Sequence, residues 1–201
     1  MVLHGMVEWQ EWEWEEQVQA MPRLEELFLD NCKLTHVPPG LASNARALKK
    51  LVIDRVQHLS YLENFPFVVE LRVLRSPDLK RISNFPNLKK LTVTDCPKLK
   101  VLESIPVLEW LVLEDYTMEE LPEYMPDIKP LHLLLSCRLW LLTSVAMGQS
   151  GLEWDKFSHV KHVKAYAHDG NSRRKWYMTY TGDNGKLDSN ISRSSIYEDD
   201  M

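Results

Sequence analysis

His159, His162 and His168, followed by Asp169, are the densest group of metal-ligating side chains in this sequence. A zinc site needs three or four ligands that converge. If residues 160–166 form a strand, His159 and His162 project to opposite sides of it, which argues against chelation and for solvated imidazoles. Serine, histidine and aspartate all occur, but no G-x-S-x-G turn is present to present a nucleophile. Arg173, Arg174 and Lys175 beside Trp176 and Tyr177 could meet phosphate, although stacking on nucleic acid usually requires a larger basic groove. Cys32, Cys96 and Cys137 are too far apart for a zinc motif or a disulfide framework. These residues point to no enzyme, no metal and no cofactor.

The bulk properties narrow the field further. A net charge of −5 lacks the concentrated basic surface that phosphate neutralisation demands, so no nucleic-acid partner is expected. The most apolar stretch, Leu131 to Met147, is shorter than a span of roughly 20 residues and carries Arg138 near its middle, so no membrane segment is expected. Met1 to Gly5 lack the apolar run of a signal peptide. With three scattered cysteines, this suggests a reducing, cytoplasmic setting.

The elements that would position any functional group come from a repeat. Phe85-Pro86-Asn87-Leu88-Lys89-Lys90-Leu91-Thr92-Val93-Thr94-Asp95-Cys96-Pro97-Lys98-Leu99 recurs in outline 20 residues earlier at Phe65-Pro66 with Val68, Leu71 and Val73. It recurs 20 residues later at Ile105-Pro106 with Leu108, Leu111 and Leu113, and again at Met125-Pro126 with Ile128, Leu131 and Leu133. Two earlier repeats carry Leu24, Leu27 and Leu29, then Leu48, Leu51 and Ile53, with a small insertion between them. In each repeat the last two apolar residues are two apart, so on a strand they share a side. Stacked repeats would place them in one core. About six repeats are expected over residues 21–145, and Pro130 should leave the pairing of the sixth imperfect. Residues 1–20 form an acidic segment with Trp9, Trp12 and Trp14, which reads as packing on the first repeat or, more sharply, as an aromatic platform for peptide. Residues 146–181 read as a degenerate last repeat with Trp176 to Tyr180 capping the sheet edge, and residues 182–201 as a disordered tail.

The proline-led repeat that ends in cysteine, Phe85 to Leu99, together with Met21-Pro22-Arg23-Leu24-Glu25-Glu26-Leu27-Phe28-Leu29-Asp30-Asn31-Cys32, resembles the leucine-rich repeat region of plant intracellular nucleotide-binding, leucine-rich repeat disease resistance proteins. The resemblance covers roughly residues 6 to 165. It implies an α/β-type repeat solenoid, a horseshoe with a parallel β-sheet on its concave face. At 20 residues the repeat is short, so mostly irregular convex turns are expected. The resemblance also implies a protein partner: a pathogen effector, a guarded host protein or the receptor's own nucleotide-binding domain. A truncated structural scaffold without a ligand of its own is the alternative.

If the sheet face recognises protein, its side chains can be read by phase. Between the core pairs lie Phe28, Val52, Arg72, Thr92, Val112 and His132; just before them lie Glu26, Lys50, Glu70, Lys90, Trp110 and Pro130; just after them lie Asp30, Asp54, Leu74, Thr94, Glu114 and Leu134. Arg72, Lys90 and Trp110 are then expected as neighbours, with Thr92, Glu114 and His132 completing a protein-binding site. Cys32 and Cys96 share one repeat position and are expected to be small buried side chains. The family's phosphate loop, G-x-x-x-x-G-K-[ST], is absent from the sequence. Calorimetry with ATP or ADP should therefore give no magnesium-dependent heat, and stoichiometric binding would contradict this reading.

Overall fold

The structure, a computed structural model, describes residues 1–5, 21–168 and 174–191. The Trp9 to Trp14 segment, Asp169 and Arg173 lie outside the described residues. The chain forms two compact units, Met1–Leu108 and Glu109–Met201. Its architecture is a mostly parallel β-solenoid with little helix.

The first unit holds β1 (Val2–His4), β2 (Glu26–Asp30), α1 (Pro39–Asn44), β3 (Lys50–Asp54), β4 (Tyr61–Glu63), β5 (Glu70–Leu74), β6 (Arg81–Ser83), β7 (Lys90–Thr94) and β8 (Val101–Glu103). Strands β1, β2, β3, β5 and β7 pair in that order, all parallel, with Leu27 level with Leu51, Leu71 and Leu91. Strands β4, β6 and β8 form a second parallel sheet with Leu62, Ile82 and Leu102 in register. The L-x-L alternation explains both faces. Leu71, Val73 and Leu91 are fully buried, Val93 nearly so, and the residues between them face outward. Leu24 is only half-buried. The four-residue lengthening of the turn after β2 is taken up by α1, which starts at Pro39, where a missing N–H costs nothing.

Each turn leaves the sheet through a residue in the left-handed region: Asn31, Arg55, Arg75 and Asp95, with φ of 51°, 52°, 46° and 49°. Their N–H groups continue the ladder, Asn31 donating to the Asp54 carbonyl at 3.0 Å, Arg55 to Leu74 at 3.0 Å and Arg75 to Thr94 at 2.8 Å. Asn and Asp enter this region readily, whereas an arginine there costs about 1–2 kcal/mol. Both arginines reach back to the aspartate ending the preceding strand. Arg55 Nη2 lies 2.8 Å from Asp30, and Arg75 Nε lies 3.0 Å from Asp54. Partial burial disfavours the charged form of Asp30, but hydrogen bonds from Arg55 and His4 outweigh it and hold the carboxyl below its usual range. Two residues after β2, β5 and β7, Cys32, Ser76 and Cys96 are buried and donate to the strand's last carbonyl, at 3.3, 3.1 and 3.3 Å, while the same position after β3 holds the buried Val56. The shared cysteine position is therefore a place for a small buried side chain, most often a donor.

The second unit holds β9 (Trp110–Glu114), β10 (His132–Cys137), α2 (Leu139–Ala146), α3 (Trp154–Phe157), β11 (His162–His168), β12 (Arg174–Thr181) and β13 (Lys186–Ser189), with single 3-10 turns at Met125–Asp127 and Gly148–Ser150. Strands β9, β10 and β11 are parallel; β12 and β13 add to them antiparallel. Four expectations are corrected here. The sixth strand starts two residues later than its phase suggests: Leu111 and Leu113 pair with Leu133 and Leu135, and Leu131 is exposed. Pro130 consequently falls outside the ladder, and β9–β10 pairing is complete because His132 N donates to the Glu109 carbonyl at 2.9 Å. Leu139 and Leu142 sit on α2, not in an irregular turn, which gives the 30-residue connection from Leu133 to Val163 room for a helix. Lys186–Ser189, placed in the expected disordered tail, is a strand whose edge is satisfied by β12; residues 192–201 lie outside the described residues.

No helix is long and apolar enough to cross a membrane among the described residues. Leu91 is fully buried in the core of the first unit, so Leu91→Ala should destabilise the protein by about 2–5 kcal/mol in a denaturant titration. A change near zero would contradict the placement of the core.

Candidate binding face of the second unit

Parallel pairing in register sets like positions beside one another, and on β9, β10 and β11 those positions carry rings. Trp110 is level with His132, and His132 with His162. Trp110 and His132 stack with centroids 4.0 Å apart and planes 17° from parallel; His132 and His162 follow at 5.0 Å and 16°. Trp110 remains 45% exposed, so its outer surface is open to a ligand. Thr181 on β12 is level with His162 and ends the row. The next row along the face is Val112, Leu134, Lys164 and Thr179, and the third is Glu114, Ser136, Tyr166 and Tyr177. A cavity of about 540 Å³ opens on the first two rows and reaches Tyr166. Its apolar floor and few polar groups suit recognition of a ligand surface.

The electrostatics follow from the packing. Partial burial beside Trp110, and then repulsion from the neighbouring His162 and from Lys164, lower the pKa of His132 from its ordinary value, with Glu109 opposing. The neutral form of His132 is thereby favoured within the stack. At the far end of the same unit, the Tyr116 hydroxyl and His168 Nδ1 are 2.6 Å apart. His159 Nε2 lies 2.8 Å from the Ile128 carbonyl. The three imidazoles of the metal-like grouping are therefore engaged in separate places. No group of three potential metal ligands occurs among the described residues. Lys175 lies over the buried Trp176 ring at 4.5 Å. The Cys137 thiol, also buried, is pushed up to about 12 by desolvation, which makes it a poor nucleophile.

The sequence-expected site residues divide between the two units. In the second, Trp110 and His132 are brought into contact, whereas Glu114 lies at the other end of β9, level with Ser136. In the first, Arg72 is level with Thr92, and Lys90 with Glu70. The two cations are therefore diagonal to each other, not side by side. The edge row of that unit alternates in charge, Glu26, Lys50, Glu70 and Lys90, with Lys50 4.0 Å from Glu26 and over the Phe28 ring at 5.6 Å. A larger depression of about 790 Å³, lined by residues including Tyr61, Glu63 and Arg81, has its charge engaged internally, since Arg81 pairs with Glu103 and Ser83 with Glu63.

Sequence reasoning missed His162, Lys164, Tyr166, Thr179 and Thr181 as parts of one face. Their strands follow a connection that breaks the period, and β12 runs antiparallel, so no phase could carry the columns to them. No family model, curated protein or solved structure matches the chain.

Nuclear magnetic resonance titration should find the His132 imidazole protonating below the ordinary histidine range of about 6.5. Both Trp110→Ala and His162→Gln should raise that midpoint, the first by admitting water and the second by removing a neighbouring positive charge. An unchanged midpoint in both variants would show that the stack does not govern the group.

Proposed function

We propose that this chain is a protein-binding solenoid module. In line with its sequence resemblance, we assign it as the leucine-rich repeat region of a plant intracellular immune receptor. It acts in defence in the cytoplasm, through contact with a pathogen effector, a guarded host protein or the receptor's own nucleotide-binding domain. The single observation that carries the binding reading is the Trp110–His132–His162 row, which holds a half-exposed indole on a rigid strand beside an open apolar cleft. Tryptophan is enriched among residues that dominate interface energies. A side chain already fixed by stacking loses little freedom on binding. The receptor assignment rests on the proline-led, cysteine-bearing repeat alone.

A binding role is favoured over catalysis because, among the described residues, the lining of the cleft sets no carboxylate or thiol beside its imidazoles. The self-neutralised edge row of the first unit favours a second reading for that unit, a structural scaffold without a ligand of its own.

Partners retained from plant cytosol by the wild-type chain should be lost by Trp110→Ala. The affinity of a captured partner should fall about 30-fold, the equivalent of a 2 kcal/mol interface residue. Arg72→Ala serves as the comparison in the first unit, with unchanged melting temperatures required of both variants. Wild-type affinity in Trp110→Ala would move the site off this face.

A further inference from the structure

Several cations of this protein are met by carboxylates: Arg55 by Asp30, Arg75 by Asp54, Lys98 by Asp78, and Lys161 by Asp183 at 3.2 Å. Lys164 is among those that are not. It stands exposed on the open face of β11, two residues from His162 and in the row beside His132, and has no carboxylate within 4.0 Å among the described residues. Lys164, His132 and His162 thus gather one fixed positive charge and two proton acceptors around one cleft. The other titratable groups bearing on the stack are Glu109 just before β9, Glu114 at its far end, Tyr166 further along β11, and Lys161, which is occupied by Asp183. Glu109 alone favours a charged His132, against burial, His162 and both lysines.

On the reading of this cleft as a protein-binding face, we propose that it takes an extended, carboxylate-bearing segment of a partner protein and takes up a proton as it does so. A carboxylate seats between Lys164 and the His132–His162 pair, and an apolar side chain of the same segment lies against Trp110. Extended chain suits the site because its side chains alternate with the same period as the strands of the floor. In the empty cleft, Lys164 and burial both oppose an imidazolium. A bound carboxylate cancels the lysine's field and supplies a counter-ion, so a proton moves from solvent buffer onto one ring nitrogen of the pair. The second ring stays neutral, because two imidazoliums with centroids 5.0 Å apart repel. Binding therefore tightens as pH falls through the histidine range.

The test uses the full chain and two capped peptides. In one, glutamate alternates with phenylalanine and leucine; in the other, glutamine replaces every glutamate. Titration calorimetry in buffers of different ionisation enthalpy reads affinity and proton uptake together. The acidic peptide should bind about fivefold more tightly near pH 6 than near pH 7.5, with uptake of roughly half a proton averaged over that range. Lys164→Met should weaken the acidic peptide and leave the glutamine peptide unchanged. The double variant His132→Gln with His162→Gln should bind without pH dependence, its melting temperature confirming that it folds. Equal binding of both peptides without proton uptake would overturn the charge recognition and leave a protein-binding face standing. Binding of neither would overturn the inference, while the face as a whole is judged by Trp110→Ala and the captured partner.

Discussion

Parallel pairing in register is the constraint from which the rest of this structure follows. When each strand lies about 4.8 Å from the next with equivalent positions level, every residue type in the repeat becomes a column. Leucine columns make the core, since no single repeat could bury its own. Aspartate–arginine pairs tie successive turns at their exits, and the small donors Cys32, Ser76 and Cys96 close the ends of β2, β5 and β7. The arginines occupy a backbone region that disfavours them. The position is tolerated because the N–H it directs continues the ladder and the side chain it directs finds a carboxylate. Exposed ion pairs of this kind add little stability individually, so their role here is to fix the course of the turn.

The same constraint gives the two units different faces. In the first, alternating Glu26, Lys50, Glu70 and Lys90 neutralise one another, so the row offers no net field. In the second, the level positions hold Trp110, His132 and His162, and ring stacking replaces ion pairing. Stacked rings leave the outer surface of the indole and the cleft floor open. That asymmetry locates the candidate site on the second unit, even though the repeat is most regular in the first.

Much of the first unit was legible in the sequence. The 20-residue period fixed the core pairs from Leu51 to Leu91, and the alternation fixed which side chains face out. The face residues could be named for the same reason. The diagonal relation of Arg72 and Lys90 was legible too, since they occupy different columns of the repeat, and treating them as direct neighbours overrode that phase. The second unit was less legible because turn length, not strand pattern, decides its register. Leu131 and Leu133 fit the period, but Leu133 and Leu135 fit the alternation equally well, and the apolar run alone gives no reason to reject them. What discriminates is Pro130, which has no N–H to give the ladder. Counting that missing donor selects the later frame.

The shift by two residues is what creates the site. A one-residue slip would have turned every side chain of β10 to the other side of the sheet and destroyed the core, whereas a two-residue slip preserves both faces and only moves the columns along. It carries His132 from beside Val112 to beside Trp110, where its ring stacks at 4.0 Å, and it brings Leu134 beside Val112 to make an apolar floor. The added residues are accommodated outside the strands, in a connection that contains the 3-10 turn Met125–Asp127, so the ladder is left intact. The recognition surface of such a solenoid can therefore be recomposed by changing turn lengths in steps of two, with the core composition unchanged. In this chain the turn before β10 specifies the candidate face as strongly as the aromatic residues that form it.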